Sequence, residues 1–225
     1  MTGPVRVIGP NRRSLTGLVT SEGASQAFES SLERDFLVLL DFNRRVQEFH
    51  TQPVTIHYRY AGRDRRYTPD VFVVYYGDDD PTFFEVKYRE DLRRDWHKLR
   101  PGFKAAIKFA KQEGARFKIV TEREIRTPLL SNIKFLRHCR KQSCHESVEE
   151  QVVRTLAALG ESTPETLMRA AFRDDQHRLH ALSALWRMVA MGRIEADLES
   201  PISMQTPIWV EVGEGFRAVA PPHPP

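Results

Sequence analysis

Two acidic residues and a lysine stand at a spacing that suits the hydrolysis of a phosphodiester bond. Pro69-Asp70 is followed, after fourteen residues, by Glu85-Val86-Lys87. In a β-strand, residues i and i+2 point to the same face, so Glu85 and Lys87 are expected to project together. If the strand that carries Asp70 pairs with theirs, two carboxylates and the carbonyl oxygen of Val86 would form the hard oxygen site that Mg²⁺ or Mn²⁺ prefers.

A divalent ion held there would lower the pKa of an attacking water and neutralise charge on the phosphate. Lys87 would orient that water or help deprotonate it, and a lysine beside a cation would have a lowered pKa. The plainer alternative makes Asp70 a turn residue and pairs Glu85 with Lys87 on an exposed strand. The apolar run VFVVYY after Asp70, and Phe83-Phe84 before Glu85, favour buried strands, on which charges need a reason.

Glu33 is a third candidate carboxylate. Residues 25–41 place Phe28, Leu32, Phe36, Leu39 and Leu40 at helical spacing, which predicts an amphipathic helix with Glu33 beside its apolar stripe. The run Ser30-Ser31-Leu32-Glu33 equally fits a capping box with a solvated glutamate. From the residues alone, both interpretations of Glu33 stay open.

The elements that would position these residues form an α/β pattern with a mixed sheet. Residues 53–60, 67–76 and 82–88 are predicted strands of a meander, in which the polar stretch AGRDRR joins the first two. Residues 101–113 open with a proline and end near Gly114, so they are predicted to form a crossover helix. A short buried strand is expected at 117–121.

A second unit is expected from about residue 145. Apolar spacing predicts three helices, with a cap and starting proline in Ser162-Thr163-Pro164-Glu165 and a C-terminal cap at Gly192. Residues 193–198 and 208–212 alternate as two strands. Three helices followed by a hairpin is the element order of a winged helix.

Charge is divided unevenly along the chain. Residues 1–142 contain 27 Lys and Arg against 18 Asp and Glu, whereas residues 143–225 contain 7 against 12. The basic part is expected to bind a polyanion such as DNA and the acidic part a protein, although chance could also divide solvated charges in this way. Two cysteines, no apolar run of bilayer length and no signal-peptide pattern predict a cytoplasmic protein without a membrane span.

Several further side chains are candidates for binding. Lys98, Lys104 and Lys108 could grip the DNA backbone, although basic helix faces are often only solvated. Trp96 could stack on DNA, but core packing is favoured for it. The paired positions His138-Cys139 and Cys144-His145 could hold zinc, but their spacing fits no known finger and an ordinary linker is favoured.

Several of these motifs, taken in order, resemble the TnsA family. The resemblance spans about residues 25–135 and rests on the run that begins SLERDFLVLLDF, followed by RRYTPDVFVV, FFEVKYREDL and GARFKIVTEREI. Glu33, Asp70, Glu85 and Lys87 occupy the positions of that family's catalytic residues, and Glu33, Asp70, Glu85 and Val86 those expected to hold the metal.

The resemblance implies a restriction-endonuclease-like nuclease of the PD-(D/E)xK class that needs Mg²⁺ or Mn²⁺ and cuts double-stranded DNA at the 5′ ends of a transposon. It also implies a TnsB-like DDE transposase that cuts the 3′ ends, and a TnsC-like AAA+ ATPase that docks with the help of a winged-helix-like C-terminal domain. Asp174 and Asp175 would open the helix that reads DNA in an ordinary winged helix, and acids there would repel phosphate, so this domain is expected to bind protein.

The sequence therefore predicts a flexible basic segment (1–24), an endonuclease domain (25–142), a winged-helix-like domain (143–219) and a proline-rich tail (220–225). Two alternatives remain: a stand-alone repair or restriction nuclease, and a non-catalytic winged-helix regulator that binds DNA.

Overall fold

The computed structural model describes residues 31–77 and 79–210. The predicted basic segment 1–24 and the proline-rich tail 220–225 lie outside those residues. The chain forms two compact units that divide between Glu122 and Arg123. This division falls earlier than the predicted boundary at residues 142 and 143, because a helix that the sequence analysis did not predict packs within the second unit.

The first unit contains two helices and six strands. The first helix precedes all the strands, and the longer second helix lies between the fifth and sixth strands. These elements are α1 (Ser31–Phe42), β1 (Val46–Thr51), β2 (Ile56–Tyr60), β3 (Arg63–Tyr67), β4 (Val71–Tyr75), β5 (Thr82–Val86), α2 (Arg89–Gln112) and β6 (Arg116–Val120), and a short helix α3 (Glu122–Ile125) follows at the division between the units.

The main sheet is mixed, as predicted. Its strand order is β1-β4-β5-β6, with β4 antiparallel to both β1 and β5, and β5 parallel to β6. In the register, Val71 lies opposite Phe84, and Glu85 lies opposite Ile119. With helices beside it, this mixed sheet fits a restriction-endonuclease-like fold.

The predicted three-stranded meander is wrong. Strand β2 pairs with β3 in a separate antiparallel hairpin rather than with β4. Its turn is only Ala61-Gly62, and both residues have positive φ, 50° and 75°, the pattern of a type I′ turn whose twist suits a tight hairpin. Most of the stretch expected to be a turn is therefore the strand β3.

Two elements differ from the sequence prediction because local signals misled it. Strand β1 was not predicted, since Val46 is its one buried residue and an edge strand lacks the apolar alternation of a central one. Helix α2 begins at Arg89 rather than at Pro101, which lies inside it. Proline lacks an amide proton and normally stands in the first turn of a helix. Helix α2 nevertheless continues through Pro101, because it packs against β2 and β3 of the hairpin and β6 of the sheet.

The core of the first unit lies between α1, the sheet and α2. Leu32 and Val73 are fully buried, and the rings of Phe36 and Phe84 lie 5.1 Å apart. The predicted helical stripe of α1 therefore faces the sheet, which fixes Glu33 near the strand that carries Glu85. Phe28, the first residue of that predicted stripe, lies outside the described residues.

The second unit is mostly helical. After α3 it contains α4 (Pro128–Cys139), α5 (Glu146–Leu159), α6 (Pro164–Ala171), α7 (Asp175–Met191), β7 (Glu195–Ala196) and β8 (Ile208–Trp209). The unpredicted helix α4 packs against α7. Its buried Asn132 donates hydrogen bonds to the carbonyls of Leu198 (2.9 Å) and Ser200 (2.7 Å), and these bonds tie α4 into this unit.

The predicted helix ends of the second unit are confirmed. The Thr163 hydroxyl accepts a hydrogen bond from the Thr166 amide ahead of Pro164, and Gly192 ends α7 in the left-handed conformation, with φ 72°. The predicted hairpin is reduced to two residues in each strand, with Glu195 opposite Trp209. No helix in the described ranges is long and apolar enough to span a bilayer.

Candidate active site

Asp70 is held directly against the strand that carries Glu85. Its amide donates to the carbonyl of Phe84 (3.0 Å), and its own carbonyl accepts from the amide of Gln52 (2.8 Å). The side-chain Oδ2 accepts a hydrogen bond of 2.7 Å from the amide of Val86. Because both the main chain and the side chain are fixed, the Asp70 carboxylate faces the neighbouring strand beside Glu85, as the spacing predicted.

Glu85 is buried, with 3% of its surface exposed. All five residues of β5 are buried, so the exposed strand of the plainer alternative is wrong, although Glu85 and Lys87 do form its ion pair. The carboxylate has partners on both oxygens: Tyr67 donates its hydroxyl to Oε2, and Nζ of Lys87 lies 3.4 Å from Oε1. Lys87 follows β5 directly and shares the face of Glu85, as predicted for residues i and i+2.

The environment favours the neutral form of Glu85. Burial raises its pKa to about 7, and the charge of Asp70 adds to the rise, while the Tyr67 hydrogen bond and Lys87 oppose it. A buried carboxylate that is repelled by a second, half-buried one is stabilised by a shared cation. The donors present, hard oxygens on two neighbouring strands, therefore fit a divalent metal ion.

The carboxylates around Lys87 raise its pKa, whereas the lowered pKa expected beside a bound cation stays a prediction. Burial disfavours its ammonium, but the negative charges of Glu85 and Asp70, with a smaller contribution from Glu33, outweigh burial and raise the pKa. Among these protein groups Lys87 is therefore held as an ammonium, which is a hydrogen-bond donor and a positive charge.

Glu33 lies half-buried on the first turn of α1. The Ser31 hydroxyl lies 3.2 Å from that of Tyr88, so this end of α1 is close to the end of β5. Within residues 31–77 and 79–210, however, no three His, Cys, Asp or Glu side chains lie close enough together to hold a metal. The described residues therefore show no group of three carboxylates at Glu33, whose charge contributes to the raised pKa of Lys87, and its metal-binding role stays a prediction. The capping-box alternative depends on Ser30, which lies outside the described residues.

Tyr67 completes the site and was missed by the sequence analysis. Its ring packs edge-on against Phe103 (6.0 Å between centroids) and Phe117 (6.2 Å). Burial and the negative charge of Glu85 raise its pKa far above the ordinary value, so the hydroxyl stays protonated and can only donate to that carboxylate. The residue stands three positions before Asp70, but the sequence carries no signal that its hairpin folds back onto β5.

A glycine of α2 makes room for that tyrosine. A Cβ atom added to Gly102 would lie 3.0 Å from Cδ2 of the Tyr67 ring and 3.5 Å from the Tyr58 hydroxyl. The absence of a side chain at this position lets α2 and the hairpin approach closely. The position of the Tyr67 hydroxyl on Glu85 therefore depends on three elements: β3, β5 and α2.

The basic residues predicted to contact DNA divide into two groups. Lys104 and Lys108 line a groove between α2 and β2. Lys98 is outside that groove, and its Nζ lies 2.9 Å from Oδ1 of Asp95. Trp96 also lines the groove and is 47% exposed, so the expectation that it packs in the core is wrong.

The four residues considered as zinc ligands lie at the end of α4 and just before α5 in the second unit. Cys139 is buried at the end of α4, and His138 contacts the Lys134 carbonyl at 2.7 Å. His145 is the N-cap residue of α5. Cys144 is half-buried.

Comparison with known protein families matches both units. Residues 43–122 match the family described as TnsA-like endonuclease N terminal, and residues 124–198 match TnsA endonuclease C terminal. The boundary between the matches coincides with the division between the compact units. A search of curated proteins gave no match. The two matched segments together cover more than half of the chain, and the N-terminal match precedes the C-terminal one, so the protein belongs to the TnsA family of transposon endonucleases.

Proposed function

We propose that the protein hydrolyses DNA at the 5′ ends of a transposon, with a divalent metal ion held by Asp70 and Glu85. The observation that carries this proposal is the placement of two carboxylates on adjacent strands, where burial and Asp70 raise the pKa of Glu85. A structural role alone would favour removing that repulsion, since a neighbouring like charge disfavours the charged form of a buried carboxylate. Membership of the family supports the same conclusion, because it implies a DNA substrate and a transposase complex.

Each residue has a distinct role in this proposal. Asp70 and Glu85 bind Mg²⁺ or Mn²⁺, with the Val86 carbonyl as a candidate third oxygen. Lys87, as an ammonium, orients the attacking water by donating a hydrogen bond. Glu33 helps to keep that ammonium charged. A bound divalent ion would supply the positive charge that activates water and offsets the charge developing on the phosphate.

The heteromeric partnership is also part of the proposal. A nuclease that cuts the 5′ ends needs a second enzyme for the 3′ ends, and the resemblance to TnsA names a TnsB-like DDE transposase for this task. The same resemblance names a TnsC-like AAA+ ATPase as the regulator.

The second unit is proposed to be a winged-helix-like module that docks a protein partner. The order α5, α6, α7 and a short hairpin supports the winged helix. Asp174 and Asp175 stand at the start of α7, where acids repel phosphate. Leu179, one turn further on, is 68% exposed, and an exposed leucine beside acids suits a protein surface better than DNA.

A strand-specific nicking assay on transposon-end DNA, with and without the partner transposase, tests the proposal. Asp70→Ala is expected to reduce 5′ cutting by at least about a thousandfold, because a metal ligand is lost. Glu113→Gln removes an exposed carboxylate at the end of α2 and should leave cutting unchanged.

Two results would favour the rival functions. Efficient cutting of both strands by the isolated protein, independent of any transposase, would indicate a stand-alone nuclease. DNA binding without metal-dependent cutting under any condition would indicate a non-catalytic regulator.

A further inference from the structure

A groove of about 750 Å³ separates strand β2 from helix α2 in the first unit. The lining residues of α2 recur at helical spacing, so one face of the helix forms one wall and the hairpin forms the other. The proposed catalytic residues are not among its lining residues. Its volume is that of a site for a small organic group or a few linked units rather than for a broad flat surface.

The groove is strongly basic. Four cationic side chains line it, Arg59, Arg100, Lys104 and Lys108, and its lining includes no aspartate or glutamate. Two cations of α2 outside the groove are paired, Arg94 with Asp91 (2.6 Å) and Lys98 with Asp95 (2.9 Å). The four lining cations, in contrast, have no acidic partner within salt-bridge distance among the described residues. A cluster of cations without counter-charges is a site for a polyanion.

Aromatic rings stand among these cations. Tyr60 is 49% exposed, and the guanidinium of Arg65 lies 6.0 Å from the centre of its ring. Trp96 leans on Phe103, with 6.0 Å between ring centroids, yet half of its surface remains open to solvent. Two large exposed rings within one basic groove provide surfaces on which planar groups can stack.

One end of the groove lies next to the candidate active site. Ile56 lines the groove and is the partner of Tyr67 across the β2–β3 hairpin, and Tyr67 donates to Glu85. Strand β2 runs from there to Tyr60, a distance of roughly 13 Å at the rise of a β-strand. A chain lying in the groove would therefore extend a few units away from the carboxylates.

We infer that this groove binds an unpaired DNA strand that adjoins the cutting site, an inference that rests on the proposed nuclease function. Cations would follow the phosphates, and Trp96 and Tyr60 would stack on bases, which is how proteins commonly hold single strands. An intact duplex fits less well, because its bases are already stacked on one another and cannot reach the rings. An acidic peptide would satisfy the cations but leave the two exposed rings without a planar partner.

Binding of a short oligothymidylate to the full-length protein in EDTA tests the inference without any cutting. Trp96 is the exposed tryptophan of the groove, whereas Trp186 is buried, so stacking is expected to quench tryptophan fluorescence. Trp96→Leu should abolish most of the quenching and weaken binding at least about fivefold, the lower end of what base stacking contributes. Trp96→Phe, which keeps a ring, should bind nearly as the wild type does, as measured by the anisotropy of a labelled oligonucleotide.

The charge contribution is tested on the same helix. Lys104→Ala combined with Lys108→Ala should lower the dependence of log affinity on log salt by about 1.4, since each single-strand phosphate contact contributes about 0.7. Lys111→Ala is the matched control, because Lys111 is an exposed lysine of α2 outside the groove. It should change neither affinity nor slope by a comparable amount.

Three outcomes would overturn the inference. A duplex of the same length that causes equal quenching would mean that no unpaired strand is selected. Competition by polyglutamate as effective as by oligothymidylate would indicate a peptide site, and equal losses in Lys111→Ala would indicate unspecific charge. Failure of these tests together with intact, Asp70-dependent nicking would reject the groove and leave the proposed nuclease function standing.

Discussion

The chemistry of the candidate site depends on the electrostatic repulsion between the carboxylates of Asp70 and Glu85 and on the groups that hold them in place. Val86 fixes Asp70 through its amide at 2.7 Å, and Tyr67 and Lys87 fix the two oxygens of Glu85. Neither carboxylate can turn away without giving up a hydrogen bond. The pair is thus positioned before any ion arrives, which reduces the reorganisation that metal binding requires.

Tyr67→Phe should reduce metal-dependent nicking by about tenfold. The substitution keeps the ring between Phe103 and Phe117 but removes the donor to Glu85, and a hydrogen bond to a charged group contributes about 1.5–3 kcal/mol. The pKa of Glu85 should also rise further, because that bond now lowers it. Nicking rates measured across pH should therefore show the acidic limb moved to higher pH.

A matched control is Tyr75→Phe, which removes a half-buried hydroxyl from β4. Tyr75 lies four residues beyond Val71, the residue of β4 that pairs with Phe84, and should not affect the site. Equal loss of activity in both variants would mean that Tyr67 acts only through general stability.

The raised pKa of Glu85 predicts a pH dependence of stability in the metal-free protein. The folded state keeps the proton until about pH 7, whereas the unfolded chain releases it near 4.5. The stabilising contribution is therefore fully present below pH 4.5 and is lost as the pH rises to about 7. Urea unfolding in EDTA should show a free energy of unfolding that falls across this window in the wild type and falls less in Glu85→Gln. Identical slopes in the two proteins would contradict the assignment.

Sequence patterns could predict Asp70, Glu85 and Lys87 because strand alternation fixes which side chains share a face. They could not predict Tyr67, whose role depends on a hairpin folding back across β5 and on the space at Gly102. Nor could they settle Glu33, since a helical residue beside the apolar stripe can turn either to the site or to solvent. The structure brings Glu33 near Lys87 but not into a group of three carboxylates.

At the scale of elements, α2 connects the catalytic strands with the groove. Its buried face, which includes Phe103, packs toward the hairpin and the sheet, while its Lys104 and Lys108 face the groove. Gly102 lies on α2 at the point where two tyrosines approach the helix: Tyr58, which lines the groove, and Tyr67, which donates to Glu85. A single helix therefore sets the distance between the proposed DNA strand and the carboxylates.

Gly102→Ala should lower nicking severalfold with little loss of thermal stability. Alanine favours the helix by up to about 1 kcal/mol, but the new Cβ would lie 3.0 Å from the Tyr67 ring and must displace it. If the effect passes through the tyrosine hydroxyl, the double variant with Tyr67→Phe should be no worse than Tyr67→Phe alone. Fully additive losses would show that Gly102 acts by another route.

The elements that sequence analysis predicted well are those with complete local signals. Helix α6 begins with Thr163 and Pro164, and α7 ends at Gly192, as expected from capping chemistry. Strand β1 and the start of α2 were missed because their stability comes from tertiary packing. The meander was wrong because the two-residue turn at Ala61-Gly62 was hidden inside a longer polar stretch.

At the scale of the whole molecule, the two compact units correspond to different proposed tasks. The first unit carries the candidate nuclease site and the basic groove, and the second carries exposed acids and an exposed Leu179 on α7. Cutting and partner docking should therefore be separable by substitution. The charge division predicted from composition lies at residue 142, whereas the compact units divide at residue 122. The basic residues of 123–142 therefore belong to the second unit, because α4 belongs with α7.

Asp70→Ala should change the product of transposition without stopping it. Loss of 5′ cutting leaves the element joined to its donor through the uncut strands, while the partner transposase still cuts and joins the 3′ ends. Replication of that joined form yields a cointegrate. Sequencing across donor and target junctions should find cointegrates in place of simple insertions, whereas no product at all would indicate that Asp70 is needed for assembly.

Calorimetric titration with Mn²⁺ tests most directly whether Asp70 and Glu85 form one metal site. Wild-type protein and the control Glu113→Gln should bind the ion equally. Asp70→Ala and Glu85→Ala should each weaken binding by at least about a hundredfold. Residues that only hydrogen-bond to a metal ligand contribute roughly ten- to hundredfold in affinity, and a direct ligand contributes more. Binding that survives either substitution unchanged would contradict the account.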